Sequence, residues 1–152
     1  MAITVTTALP TSFKVELLKG IHDFTNSTGD TFKIALLKSA ASGSGTYGAA
    51  STNYSDITGN SDEASGTGYT AGGNTLTNVT PTADSTTAIT DFADTTWSSA
   101  SFTTSGAMIY NSSASNEAVA VLSFGGDQTV SSGDFQIQFP TADATDAIIR
   151  IA

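Results

Sequence analysis

SFTTSGAMIYN (Ser101–Asn111) and AVAVLSF (Ala118–Phe124) are two apolar runs on either side of NSSASNE (Asn111–Glu117), a short polar stretch of turn-forming residues. Two β-compatible runs joined by so short a link predict an antiparallel hairpin. The unit reaches back to Ala93 and takes in Trp97, the only tryptophan, while Phe102, Met108, Ile109 and Tyr110 supply its apolar bulk. The remaining strand candidates are read as packing on this pair.

Downstream, Asp134–Phe139 alternates cleanly, with Phe135, Ile137 and Phe139 predicted inward, Gln136 and Gln138 outward, and Pro140 closing the run. AIIRIA (Ala147–Ala152) is a final strand, and Gly125-Gly126-Asp127 reads as a turn. Upstream, TFKIALLK (Thr31–Lys38) sets Phe32, Ile34 and Leu36 on one face and Ala35 and Leu37 on the other, so burial on both sides is expected. SGTGYTAGGNTL (Ser65–Leu76), TNVTP to Pro81 and TTAITDF (Thr86–Phe92) add strand-like sequence broken by glycine turns. Strands number about eight to ten, at the spacing of an antiparallel sandwich.

TSFKVELLKGIHDF (Thr11–Phe24) is the one convincing helix, with Phe13, Leu17, Ile21 and Phe24 forming a stripe and Leu18 beside it. Thr11 or Ser12 is expected to cap it, and Asn26 to Gly29 to stop it. Its Gly20 costs about 1 kcal/mol relative to alanine inside a helix, which suggests close packing there. The fold class expected is mainly β: a single antiparallel, jelly-roll-like β-sandwich with one N-terminal amphipathic helix. Residues 1–10 read as an extended arm and 11–152 as the sandwich domain. In the arm Ile3 and Val5 alternate with threonines, either as an edge strand of its own domain or as a reach onto a neighbour. Residues 39–65 form a long excursion rich in Ser, Gly, Ala and Asn, expected to be a contact loop or a flexible one.

Charge is unevenly placed. Lys14, Lys19, Lys33, Lys38 and Arg150 are all the basic residues, and between Ser39 and Ile149 there are eleven acidic side chains and no basic one, within a net charge of −9. A surface of that sign repels nucleic acid and anionic membranes, so neither is an expected partner. With no cysteine there is neither a disulfide framework nor a thiolate metal site. No apolar run approaches a membrane span, and the first ten residues lack the basic and apolar regions of a signal peptide, so folding in a cytoplasm is expected.

No stretch names a reaction. Gly66-Thr-Gly68-Tyr-Thr-Ala71 fits G-x-G-x-x-A, but Gly72, Gly73 and Asn74 follow where a phosphate-binding helix would have to start. His22, the only histidine, lacks a nucleophile setting and reads as a surface or boundary residue. Asp91 with Asp94, Asp143 with Asp146, and Asp127 are acidic groups near turns; without the D-x-D-x-D-G order they read as turn residues rather than Ca²⁺ ligands. Tyr47, Tyr54 and Tyr69, in Gly/Ser-rich surroundings, read either as an adaptable contact surface or as rings tucked back over the sandwich. The expectation is therefore no enzyme, no cofactor and no metal.

The ordered set SFKVELLKGIHDF, TFKIALLK, SGTGYTAGGNTL, FADTTWSSASFTTSGAMIYN, AVAVLSFGGDQTVSSGDFQIQFP and AIIRIA resembles a family of small virion structural proteins of tailed bacteriophages, over nearly all the chain beyond residue 10. That resemblance implies a place in the virion, assembly in the bacterial host cytoplasm, and no catalytic residues. Two roles are compatible with it. One is a capsid decoration (cement) protein, which binds the major capsid protein and copies of itself, as an oligomer and by the resemblance a trimer. The other is a tail or tail-tip component that contacts a host receptor. The contact residues expected for decoration are Ile3, Val5, Leu9, Lys14 and Lys19, where the apolar arm meets the basic cluster.

Overall fold

A computed structural model of the chain describes all of residues 1–152. Its elements in order are β1 (Thr4–Val5), α1 (Thr11–Leu18), β2 (Phe32–Lys38), β3 (Thr46–Tyr47), α2 (Ser55–Gly59), β4 (Asn74–Thr75), β5 (Asn78–Asp84), β6 (Thr87–Phe92), β7 (Thr95–Asn111), β8 (Glu117–Ile137) and β9 (Ile149–Ile151). The fold is mainly β, as the sequence indicates.

The hairpin read from Ser101–Phe124 is there, and it is far longer than the apolar runs that signal it. β7 and β8 pair antiparallel from Thr95↔Ile137 to Asn111↔Glu117, and β2 pairs with β7 on its other side from Phe32↔Asn111 onward. With β4 they form a four-stranded sheet in the order β4-β2-β7-β8. β5, β6 and β9 form a second, antiparallel sheet, so the C-terminal strand is pinned as expected. Gly125-Gly126-Asp127 is not a chain-reversing turn. Thr104 pairs with Gln128 and Gly106 with Ser123, so β8 carries several residues that face only Ser105. That large bulge has Gly125 at φ 73° and Gly126 at φ 143°, conformations that glycine adopts without a Cβ clash.

The two sheets enclose one apolar cluster, in which Phe32, Ile34, Leu36 and Ile109 of the larger sheet meet Phe92 and Ile149 of the smaller. Phe13 and Phe24 join from the α1 side, and Phe24 stacks on Phe32 with ring centroids 4.4 Å apart. The opposite face of the larger sheet carries a second cluster: Ala35, Leu37, Met108, Ala118 and Val121 lie under Ile3, Tyr47 and Ile57. The two-sided apolar pattern of β2 is thus explained by burial on both faces, with Phe32, Ile34, Ala35, Leu36 and Leu37 all inaccessible to solvent. Gln136 and Gln138 are exposed and Ile137 is buried, as the alternation requires.

The helix departs from expectation. It stops at Leu18 because Gly20 takes φ 68° and the chain closes a Schellman turn: the Ile21 N–H donates to the Glu16 carbonyl at 3.1 Å and the Gly20 N–H to that of Leu17 at 3.0 Å. Gly20 is a stop, with nothing within 4 Å of where its Cβ would be, rather than a close-packed mid-helix residue. Ile21, expected in the core, is consequently 40% exposed. The excursion 39–65 is built rather than loose. It contributes β3 and α2 and buries Tyr47 and Ile57 on the second cluster.

Candidate partner-binding surface

The arm folds back along its own chain. β1 pairs in parallel with β3, the Ile3 N–H donates to the Ala40 carbonyl at 2.8 Å, and Ala8 exchanges both backbone hydrogen bonds with Val121. Ile3 is only 5% exposed, and Val5 and Leu9 are half-buried against the two clusters. Of the two arrangements weighed for the arm, pairing within its own domain is the one found. The apolar side chains of Ile3, Val5 and Leu9 therefore spend most of their surface on the fold itself.

Lys14 and Lys19 lie elsewhere, exposed along α1. Lys38–Asp62 is the one lysine–carboxylate pair of the molecule, so neither Lys14 nor Lys19 has a carboxylate within 4.0 Å. Between the two lysines Val15 is 46% and Leu18 91% exposed, and Ile21 follows just past the turn. On a helical wheel Val15 and Leu18 stand opposite the fully buried Phe13, so α1 is apolar on its outer side as well as its inner one. Beside it lies an apolar depression of about 220 Å³, lined among others by Leu17, His22, Phe24, Ile89 and Ile151.

His22 lies at the boundary, with its backbone partly exposed and its ring turned inward. Its side chain has no solvent exposure; one ring nitrogen, Nε2, lies 2.8 Å from Glu16 Oε2 and the other, Nδ1, 3.0 Å from Asn111 Nδ2. Asn111 Oδ1 accepts from the Ser113 and Ala114 N–H groups, which fixes the amide so that Nδ2 donates to Asp30 at 2.7 Å and toward His22. Both ring nitrogens are therefore engaged in tying α1 to the β7–β8 turn.

The acidic candidates serve turns and ties. Asp143 accepts from the Thr145 and Asp146 N–H groups at 2.8 Å each, and Asp94 from that of Phe139 at 2.8 Å. Asp127 accepts from the Ala40 N–H and the Ser39 hydroxyl, which hold its carboxyl below the ordinary carboxylate range. Asp91, 1% exposed, is raised: burial outweighs the N–H groups of Phe92 and Ile148, and the charge of Asp94 adds to the rise.

The three tyrosines turn inward around two carboxylates that no sequence motif singles out. Asp62, inaccessible to solvent, accepts from the Gly45 N–H at 2.8 Å and the Tyr47 hydroxyl at 2.9 Å. Glu63 accepts from the hydroxyls of Tyr54 at 2.6 Å and Tyr69 at 2.8 Å and from the Gly72 N–H at 2.6 Å. Tyr54 stacks on Tyr110, whose hydroxyl burial pushes up to about 12. Residues 66–71 run through turns, and Gly72 and Gly73 follow at φ 92° and 71°, so no helix opens there for a phosphate.

No family model, curated protein or solved structure matches this chain.

Proposed function

We propose that the chain is a structural protein of the bacteriophage virion, and within the particle a capsid decoration protein that binds neighbouring capsid subunits. The observation that supports this reading is the segregation of surfaces. Unpaired Lys14 and Lys19 flank an exposed apolar helix face on a chain whose residues 39–149 carry only acidic charge. A protein that coats a particle needs one adhesive side and an outer side that repels other particles, and like charge supplies the second. The closely tied β body, with both faces of its main sheet covered around β2 and the inner half of the β7–β8 hairpin, suits a part that bears load rather than one that moves.

The test is fractionation of purified virions into heads and tails, with this chain located by antibody. Recovery with heads, at a copy number on the scale of the capsid subunits, is the expected result. Recovery with tails in a few copies per particle supports the tail-tip reading and overturns decoration.

A further inference from the structure

We infer that the free edge of β8 carries a binding site for a neutral oligosaccharide, built from two phenyl rings and every glutamine of the chain. The site is separate from the α1 face and stands whichever part of a virion the chain occupies.

Phe124, Gln128, Phe135, Gln136, Ile137 and Gln138 line one depression of about 350 Å³. The chain has no other glutamine. All three are exposed, and none of their amides makes a hydrogen bond within the fold. Asparagine amides are used differently: those of Asn53, Asn60, Asn74 and Asn111 are each tied to a partner. On a chain kept soluble by its acidic groups, free amides gathered beside two half-exposed rings point to a ligand.

The floor of the depression is firm. The Phe124 and Phe135 rings have centroids 6.0 Å apart and planes inclined at 54°. Phe135 is backed by Phe102 at 5.3 Å and Trp97 at 6.0 Å, and its strand pairs with β7 at Trp97↔Phe135, Thr96↔Gln136 and Thr95↔Ile137. A surface fixed in advance loses little order when it binds. Side chains alternate along a strand, so Phe135 and Ile137 stand on one face of β8 and Gln136 and Gln138 on the other. A depression lined by both sets runs over the strand's edge, which is open because β8 is the last strand of its sheet.

Chemistry selects the ligand. The face of a phenyl ring is electron-rich and attracts polarised C–H groups, which a pyranose presents together on one side. A primary amide has an acceptor and two donors, and matches the adjacent hydroxyls at the rim of the same sugar. An all-apolar partner would instead desolvate three amides without replacing their hydrogen bonds. No charged side chain lines the depression. Its neighbours in the chain are held elsewhere, Asp127 by Ser39 and Ala40 and Asp134 by the Ser99 N–H. Nothing there compensates a carboxylate, sulfate or phosphate, and residues 39–149 carry only acidic charge, so acidic glycans are disfavoured.

The test titrates the whole, isotope-labelled chain with soluble hexasaccharides of glucose, mannose, galactose and xylose, and with polygalacturonate as an acidic counterpart. With so few glutamines, their side-chain amide signals in NMR report the site directly. The expected result is saturable shifts of those signals with at least one neutral hexasaccharide at millimolar concentration, and none with polygalacturonate. Combining Gln136→Ala with Gln138→Ala is expected to weaken that binding about tenfold, the loss of two neutral hydrogen bonds. Both side chains are exposed, so the variant should keep the wild-type melting curve, which separates lost contact from lost fold. Silence across the neutral panel overturns the inference, as does equal binding of polygalacturonate or a double variant of undiminished affinity. Glutamine shifts caused by an extended Ser/Thr-rich peptide, with every sugar silent, make the edge a strand-docking site and overturn it too.

Discussion

Replacing Asp62 by alanine tests what holds the excursion 39–65 in place. The carboxylate is inaccessible to solvent and accepts from the Gly45 N–H at 2.8 Å, the Tyr47 hydroxyl at 2.9 Å and the Ser44 N–H at 3.3 Å, with Lys38 Nζ 3.5 Å away. Some partners have alternatives: Lys38 keeps the Ser61 carbonyl, and Tyr47 has the Asp56 carbonyl at 3.3 Å. The Gly45 N–H is buried and loses its acceptor, which alone costs about 1–3 kcal/mol. Adding the charge-assisted bond from Tyr47 brings the expected loss to about 3–4 kcal/mol, or a fall in Tm of about 10 °C for a chain of this length. Burial by itself would raise the Asp62 carboxyl, but the hydrogen bonds from Gly45, Tyr47, Ser44 and Lys38 prevail and hold it low. A group depressed in the folded state contributes its stability above the unfolded value, about 3.9 for aspartate, and loses it as pH falls through the folded value. Urea melts of wild type and Asp62→Ala should therefore differ most near neutrality and converge on the acid limb. A difference under about 1 kcal/mol at pH 7, or one that persists undiminished well below pH 4, would refute this account.

Asn111→Ala strips partners from the Ser113 and Ala114 N–H groups, His22 and Asp30, and should cost about 3 kcal/mol or more in denaturant melts; a double-mutant cycle with His22→Ala should show strong coupling. Gly73→Ala sets a Cβ against the Ile34 backbone at φ 71° and should destabilise by more than about 3 kcal/mol, whereas Gly20→Ala, at φ 68° in open space, should cost about 1 kcal/mol. Asp91 has the opposite sign to Asp62: its raised carboxyl gives a contribution that is complete below the unfolded value and is lost as pH rises through the folded one. Carbon-detected NMR titration should place that step above the ordinary aspartate range, and Asp91→Asn should remove it.

The central hairpin was legible because its apolar runs are dense, and the inward alternation of Phe135 and Ile137 was legible because a strand has period two. The length of β7 and β8 was not. Their outer halves are rich in Ser, Thr, Gly and Gln, and a strand there is maintained by its partner rather than by its own propensity. The second cluster was hidden for a related reason. Ile3, Tyr47 and Ile57 are single apolar residues in polar sequence, and the groups that pin their segments, Asp62 and Glu63, look like any two acidic residues in a loop. Their role follows from which N–H and hydroxyl groups meet them, and that depends on tertiary approach.

α1 marks where a periodic pattern misleads. Phe13, Leu17, Ile21 and Phe24 do keep helical spacing, and that spacing made the helix look long and one-sided. The stripe belongs to two different structures. Phe13 and Leu17 are helical, while Phe24 reaches the core from a non-helical segment after the turn at Gly20. The local signal for the break was Lys19-Gly20, a glycine at the C′ position. Once the helix is cut there, Val15 and Leu18 can no longer be flank residues of a long amphipathic rod. They become most of the outer surface of a two-turn helix, between two lysines without partners, and its own fold supplies nothing to cover them. Burying that face costs the chain little order, since α1 is already fixed from within by Phe13 and by the His22–Asn111 tie. Preorganisation of this kind lowers the entropy lost on association. This is why the helix, rather than the arm that looked adhesive in the sequence, is the surface on which an assembly role has to be tested.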